Sequence, residues 1–340
     1  MNNNNSSIVK RDTTLDIVRA LCILEVVAFW HMQDYIDVSE CSKDFFTFGG
    51  NLTMGVLSTF VFLSGFFLSK YKFATYQDVT KFYEKRFKRF WGLFFVASLC
   101  LYIPSFIAGD CWYTSPLNFV YSLFGLTVFW GPHPATLWFM CMTMFFYLIT
   151  PLLMFNKIYC RITSSIICVV VIAMLTVFFK IDNRTVFYLP IYICGLYIPK
   201  IYIEKLYDWK GYILFIVLNI LLCAALTVAE PSVMWLKYLI AIDIAVSLTV
   251  ISHLINISNL KFFKWLMEKI SYASLCMYLF HRHFYLFLVF AYCGSLSNIR
   301  SVTLPLIVVL LIGVPMIIIG SFLIQKSYDI ITNKLWNNKS

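Results

Sequence analysis

Long apolar runs separated by short polar breaks set the pattern of the chain, and all but a short sixth run have the ~17–25 residues that an α-helix needs to cross a bilayer. They fall at about 15–31, 52–69, 90–108, 137–155, 163–179, 186–198, 211–228, 234–254, 271–292 and 302–324. A further stretch, 117–130, is apolar but short and is closed by Gly131-Pro132-His133-Pro134. It reads as an interfacial or re-entrant helix rather than a crossing. The pattern predicts an all-α, polytopic bundle of about ten transmembrane helices, with a polar tail at 1–14, an embedded domain at 15–324 and a second tail at 325–340. The first tail is Asn-rich and lacks the apolar core and small-residue cleavage site of a secretory signal, so the first span is expected to be retained.

Charge orients these spans. Lys and Arg gather in the N-terminal tail, after spans two, four, six and eight, and in the C-terminal tail, with the densest run from Lys70 to Arg89. The alternate loops are acidic or sparsely charged; the first carries Asp34, Asp37, Glu40 and Asp44. Basic loops stay on the cytosolic side, so an even number of spans with both termini in the cytosol is expected, in the cell (plasma or inner) membrane. Counting 117–130 as a span would invert every later loop.

Composition agrees. Hydrophobic residues make up 61% and charged residues only 13%, where a soluble domain has about 25% charged. The net charge of +10 reads as anchoring to anionic lipid rather than as a nucleic-acid surface, because no compact basic domain exists to hold a nucleic acid. Of the 11 cysteines, most (Cys22, Cys100, Cys141, Cys168, Cys194, Cys223, Cys276) lie inside apolar runs as small hydrophobes. Cys41, Cys111 and Cys293 fall in the expected outer loops, where a disulfide is one option. No zinc spacing, internal repeat or inverted pair of broken helices is visible.

Ionisable side chains inside spans are costly, which makes each a functional candidate. The first span holds Asp16, Arg19, Glu25 and His31. Asp16 and Arg19, three apart, share a face and pair either structurally or functionally. Glu25 lies near mid-membrane, as a bonded buried acid or a catalytic one. His31, at the outer end, has the ordinary pKa that suits a general base near neutral pH. The ninth span carries His281-Arg282-His283, which needs a polar cavity or a facing acid, for which Asp243 of the eighth span is available. His281 and His283 are two apart and point to different faces, so they are poor joint metal ligands; Lys237 and His253 lie near opposite ends of the eighth span and read as interfacial. Arg86 and Arg89 open the third span one turn apart, either as positive-inside anchors or as paired guanidinium forks for a phosphate group.

Taken in order, these segments resemble the acyltransferase-3 family of integral membrane acyltransferases. Leu15-Asp16-Ile17-Val18-Arg19, followed by apolar residues and His31, is similar to the family's first-helix signature. Phe62-Leu63-Ser64-Gly65-Phe66 resembles its second helix, and Arg86-x-x-Arg89 its Arg-x-x-Arg site. Leu137-Trp138-Phe139-Met140 through Tyr147-Leu148-Ile149-Thr150-Pro151, and Tyr278-Leu279-Phe280-His281, resemble two later helices. The matches span nearly the whole chain.

The resemblance implies a ten-helix bundle that moves an acyl group, commonly acetyl, from cytosolic acyl-CoA (acetyl-CoA) to a hydroxyl of a surface or lipid-linked glycan. It implies His31 as base, Arg19 as its partner in the signature, and Arg86 and Arg89 as contacts to the CoA phosphates. Arg282, Tyr147 and Trp138 are the candidate oxyanion donors, with His281 and His283 beside them. Acyl-CoA is a substrate, and no resident cofactor or metal is called for. A transporter or flippase of a glycan or lipid intermediate is the alternative.

Two positions depart from the family pattern. Thr143 stands where many glycan-acetylating members carry a glutamate. Eleven residues separate Arg19 from His31 where the family usually has ten. On a regular helix ten place the two side chains within roughly 20° of each other and eleven place them roughly 120° apart. A π-bulge would absorb the extra residue and restore the shared face.

Overall fold

The computed structural model describes residues 12–35, 42–108, 115–130, 136–154, 158–179, 181–228, 230, 233–291 and 303–337. Cys41, Cys111 and Cys293, the disulfide candidates, lie outside them. Among the described residues all regular structure is helical: α1 (Thr13–Glu25), α2 (Lys43–Leu68), α3 (Tyr76–Ala108), α4 (Pro116–Leu123), α5 (Leu137–Leu153), α6 (Ile158–Phe179), α7 (Asn183–Tyr197), α8 (Lys200–Glu204), α9 (Trp209–Val228), α10 (Met234–Ile257), α11 (Lys261–Ala291), α12 (Thr303–Val308) and α13 (Val314–Asn337). The apolar runs fall on these helices, the first extending beyond α1 and the last covering α12 and the start of α13.

By length and apolar content, five helices among the described residues are able to cross a membrane, and six if α7 and the short helix after it, bent by 97°, count as one. This is fewer than the ten expected. α1 and α5, of 13 and 17 residues, are shorter than the five, and α11 carries His281-Arg282-His283 in its apolar half. The stretch at 117–130 folds as the eight residues of α4, a left-handed Gly125 and a 3-10 turn at Leu126–Val128. Eight residues rise only ~12 Å, too little to cross ~30 Å of hydrocarbon. Past residue 324, α13 continues as helix through Asn337.

α1 is the central helix. Ile17, Val18, Ala20, Cys22, Ile23 and Val27 are fully buried against α2, α10 and α11. By contrast α6 and α9 expose Ile166, Ile167, Phe178, Ile216 and Ile220, the apolar outer faces a lipid-embedded bundle presents. α2 and α7 approach backbone to backbone. A Cβ on Gly65 would strike the Tyr192 carbonyl, and one on Gly195 would strike the Phe62 carbonyl, so small residues permit the close crossing. Gly65 is the glycine of the Leu-Ser-Gly-Phe segment, which gives that segment a packing reason.

α1 and α11 run parallel. Ser271 Oγ donates to Asp16 Oδ1 at 3.0 Å and an Arg19 N–H donates to Ser274 Oγ at 3.4 Å, both pairs 255 residues apart. Further along, His31 meets His281 at an offset of 250 and Val27 meets Tyr285 at 258. Contacts that advance together, from Asp16 with Ser271 to Val27 with Tyr285, are the mark of parallel neighbours.

Between Glu25 and His31 the helix widens into a π turn, Val26–Trp30, then tightens into a 3-10 turn, His31–Tyr35. The His31 N–H reaches back five residues to the Val26 carbonyl. A second π turn, Val309–Gly313, joins α12 to α13. Fully buried Tyr285 lies between the two. Its hydroxyl donates to the Val27 carbonyl at 2.9 Å, and its ring lies where a Cβ on Gly313 would be 3.3 Å away.

Candidate active site

The π turn supplies what the Arg19–His31 spacing lacks. It absorbs one residue, and both side chains reach the same neighbour, α11: Arg19 at Ser274 and His31 at His281. The two do not meet each other, since twelve rises hold them roughly 18 Å apart. Arg19 also lies over the Phe67 ring, 5.8 Å from its centroid.

His31 and His281 form the centre of the site. Nδ1 of His31 and Nε2 of His281 are 2.9 Å apart, and the rings lie nearly parallel with centroids 4.7 Å apart. Nδ1 of fully buried His281 is 3.0 Å from both the Met277 and Tyr278 carbonyls. Carbonyl oxygens only accept, so that nitrogen carries the proton and donates to them. In the neutral pair, Nε2 of His281 then has only a lone pair and accepts from the Nδ1–H of His31. This leaves Nε2 of His31 as the unprotonated nitrogen, the form a general base requires.

Arg282 flanks the pair. Its guanidinium contacts Asp34 Oδ2 at 2.8 Å, with the carboxylate half exposed. Asp34 is therefore the facing acid, which corrects the assignment to Asp243. That residue is buried on α10 with Oδ1 unpartnered. Asp34 is the first acid of the acidic outer loop, and the 3-10 turn His31–Tyr35 folds it back to α11. His283 turns to another side of α11, and its Nδ1 is buried without a hydrogen bond. Glu25 accepts from Thr53 Oγ1 at 2.7 Å through one carboxylate oxygen, and the other is buried without a partner. Among the described residues no three His, Cys, Asp or Glu side chains gather as a metal site.

The oxyanion candidates separate. Arg282 is beside His31. Trp138 is covered by the Arg184 guanidinium, 3.8 Å from its ring centroid, and Arg184 is gripped by Asp182 through Nε at 2.8 and 2.7 Å. Tyr147 belongs to the other end of the site, against Arg86. That arginine sits among three rings, its Cζ 5.4 Å from Tyr71, 5.6 Å from Phe82 and 5.7 Å from Tyr147, and it donates to the Tyr71 hydroxyl at 3.0 Å. The guanidinium beside Tyr71 holds its phenol below the usual range, although burial acts the other way. Arg89, one turn on, is exposed. The two arginines therefore differ in setting, one held in an aromatic cage and one open to solvent.

Sequence reasoning missed Asp34, Arg184, Tyr71 and Tyr285. Only Asp34 left a signal, three residues past His31 in the acidic loop.

No curated protein and no solved structure matches the chain. The sequence model of one family, described as an acyltransferase domain, matches residues 12–326, nearly the whole length. Together with its apolar helices, this makes the chain a multi-pass membrane protein that belongs to the acyltransferase-3 family of membrane acyltransferases.

Proposed function

We propose that the protein moves an acyl group, acetyl in the simplest case, from cytosolic acyl-CoA to a hydroxyl of a surface or lipid-linked glycan, with His31 as general base. The observation that carries this reading is the His31–His281 hydrogen bond at 2.9 Å, because it leaves the lone pair on Nε2 of His31. A sugar hydroxyl is a poor nucleophile near neutral pH and gains from a positioned base. Its oxygen attacks the thioester carbonyl as its proton passes to His31 Nε2. The carbon–sulfur bond then breaks, and the same proton passes to the departing thiolate. No covalent acyl-enzyme is needed. Throughout, Nδ1–H of His31 still donates to His281, so the ring keeps its orientation while its charge changes. Arg282, beside the histidine pair, is the cation assigned to the developing oxyanion.

Arg86 and Arg89 are assigned to the CoA phosphates. With His31 near the outer end and these arginines at the inner one, the pantetheine arm threads the bundle. This arrangement accords with ten crossings and cytosolic termini in the cell membrane, the topology that the basic loops favour.

The test is acyl transfer by purified protein with acetyl-CoA and the glycan fraction of its own cells, compared with His31→Ala. General-base loss costs about 10²–10⁴-fold, and a variant that folds normally and retains full transfer would remove His31 from the mechanism.

A further inference from the structure

A cavity lies away from both ends of this site. It has a volume of about 320 Å³ and lies between α11 and α13, lined by Glu268, Lys269, Tyr272, Phe322 and Lys326. It sits at the basic end of these helices, the side on which the Lys-rich loops gather. The Lys269 ammonium rests over the Trp265 and Phe322 rings, 5.9 and 5.8 Å from their centroids. Among the described residues neither Lys269 nor Lys326 forms an ion pair.

Along α13, Ile319, Phe322, Leu323 and Lys326 follow one another at i, i+3, i+4 and i+7, a single stripe that is apolar toward mid-membrane and cationic at its end. Ile319 and Leu323 are more than half exposed. The inner wall is braced independently. The Tyr272 hydroxyl donates to Asp329 Oδ2, and Gln325 donates to Asp329 Oδ1 at 2.9 Å. The cavity is also separate from the Arg86 end, because Tyr328 turns to the other flank of α13, where it donates to the Lys88 carbonyl at 2.6 Å.

We infer that this cavity seats an anionic phospholipid, its phosphate between Lys269 and Lys326 and one acyl chain along Ile319 and Leu323. Two unpaired ammonium groups above an exposed apolar lane match the charge and shape of such a lipid at the headgroup level. The Glu268 carboxylate on the rim opposes the anion and weakens the site.

Retention of phosphatidylglycerol against phosphatidylcholine by the detergent-purified full chain, read by native mass spectrometry, tests this. Phosphatidylglycerol should be retained preferentially, and Lys269→Ala/Lys326→Ala should lower its affinity about 10- to 30-fold. Lys269→Arg/Lys326→Arg should keep it, and Glu268→Gln should raise it. Equal retention of the two lipids, or undiminished retention by the folded double-alanine variant, would overturn the inference. So would inorganic phosphate stabilising the protein as strongly as the lipid does, since the site would then be one for a free anion.

Discussion

The Tyr285 hydroxyl and the Val27 carbonyl are bonded at 2.9 Å, and the π turn of α1 is the reason that carbonyl is on offer. In a regular helix Val27 would accept from the His31 N–H, which instead reaches Val26. The hydroxyl satisfies an acceptor that the bulge would otherwise strand in the core. Tyr285→Phe keeps the ring and removes only this bond, so it should destabilise the protein by about 1–3 kcal/mol. A thermal-unfolding midpoint equal to the parent's would show that the π turn needs no such support.

The register of α1 is testable by length. Deleting Ala28 converts the interval to ten residues, which a regular helix places on one face, so acyl transfer should survive in substantial part. Inserting one alanine there adds roughly 100° of rotation and should abolish transfer. Equal activity in the two variants would show that the face of His31 is immaterial.

His281 is a positioning residue. His281→Ala leaves the Nδ1–H of His31 without its acceptor and should lower kcat about 5- to 150-fold, the worth of a 1–3 kcal/mol hydrogen bond, with little change in KM for acyl-CoA. An altered pH profile should accompany it, because His31 is then free to take the other tautomer. A loss confined to KM would place His281 in donor binding instead.

The ion pair of Arg282 with Asp34 should matter more to catalysis than to folding. The carboxylate is half exposed, so Asp34→Asn should cost about 1 kcal/mol of stability or less. Transfer should fall further than that, because the guanidinium is then free to leave His31. A variant whose activity loss merely tracks its lost stability would make the pair structural.

Arg86 and Arg89 should answer differently to lysine. The aromatic cage suits a flat guanidinium, so Arg86→Lys should raise KM for acyl-CoA about tenfold even with its charge retained. Arg89→Lys, exposed, should change it little. Kinetics with varied acyl-CoA decide this, and indifference to both changes would reduce the pair to anchors for topology.

The helices were legible because their apolar runs are long and sharply bounded, as at the breaks near Asp182 and Ser258. His31 and His281 stood out because histidines within spans are costly. Their partnership did not, since 250 residues separate them and no local spacing encodes a contact between α1 and α11. Asp34 was hidden by its surroundings: in a run of acids, the one that turns inward looks like those that stay wet. Arg184 follows the break at Asp182, and only the packing of α5 against α7 puts it on Trp138. The number of crossings is the part on which sequence and structure differ, ten apolar runs against five or six helices long and apolar enough to span, because α1 and α5 are short as continuous helices.

The π turn of α1 also separates two quantities that usually travel together, the count of residues in a helix and the geometry of its ends. Five residues at Val26–Trp30 take up a unit of chain that changes neither the Ser274 contact below nor the His281 contact above. The one residue that the turn already absorbs is silent to the atoms that matter, whereas a second, with no further bulge to take it up, would not be. A lineage can therefore gain or lose that residue without passing through an inactive intermediate, and any motif written as a fixed number of letters will divide proteins that share one arrangement in space.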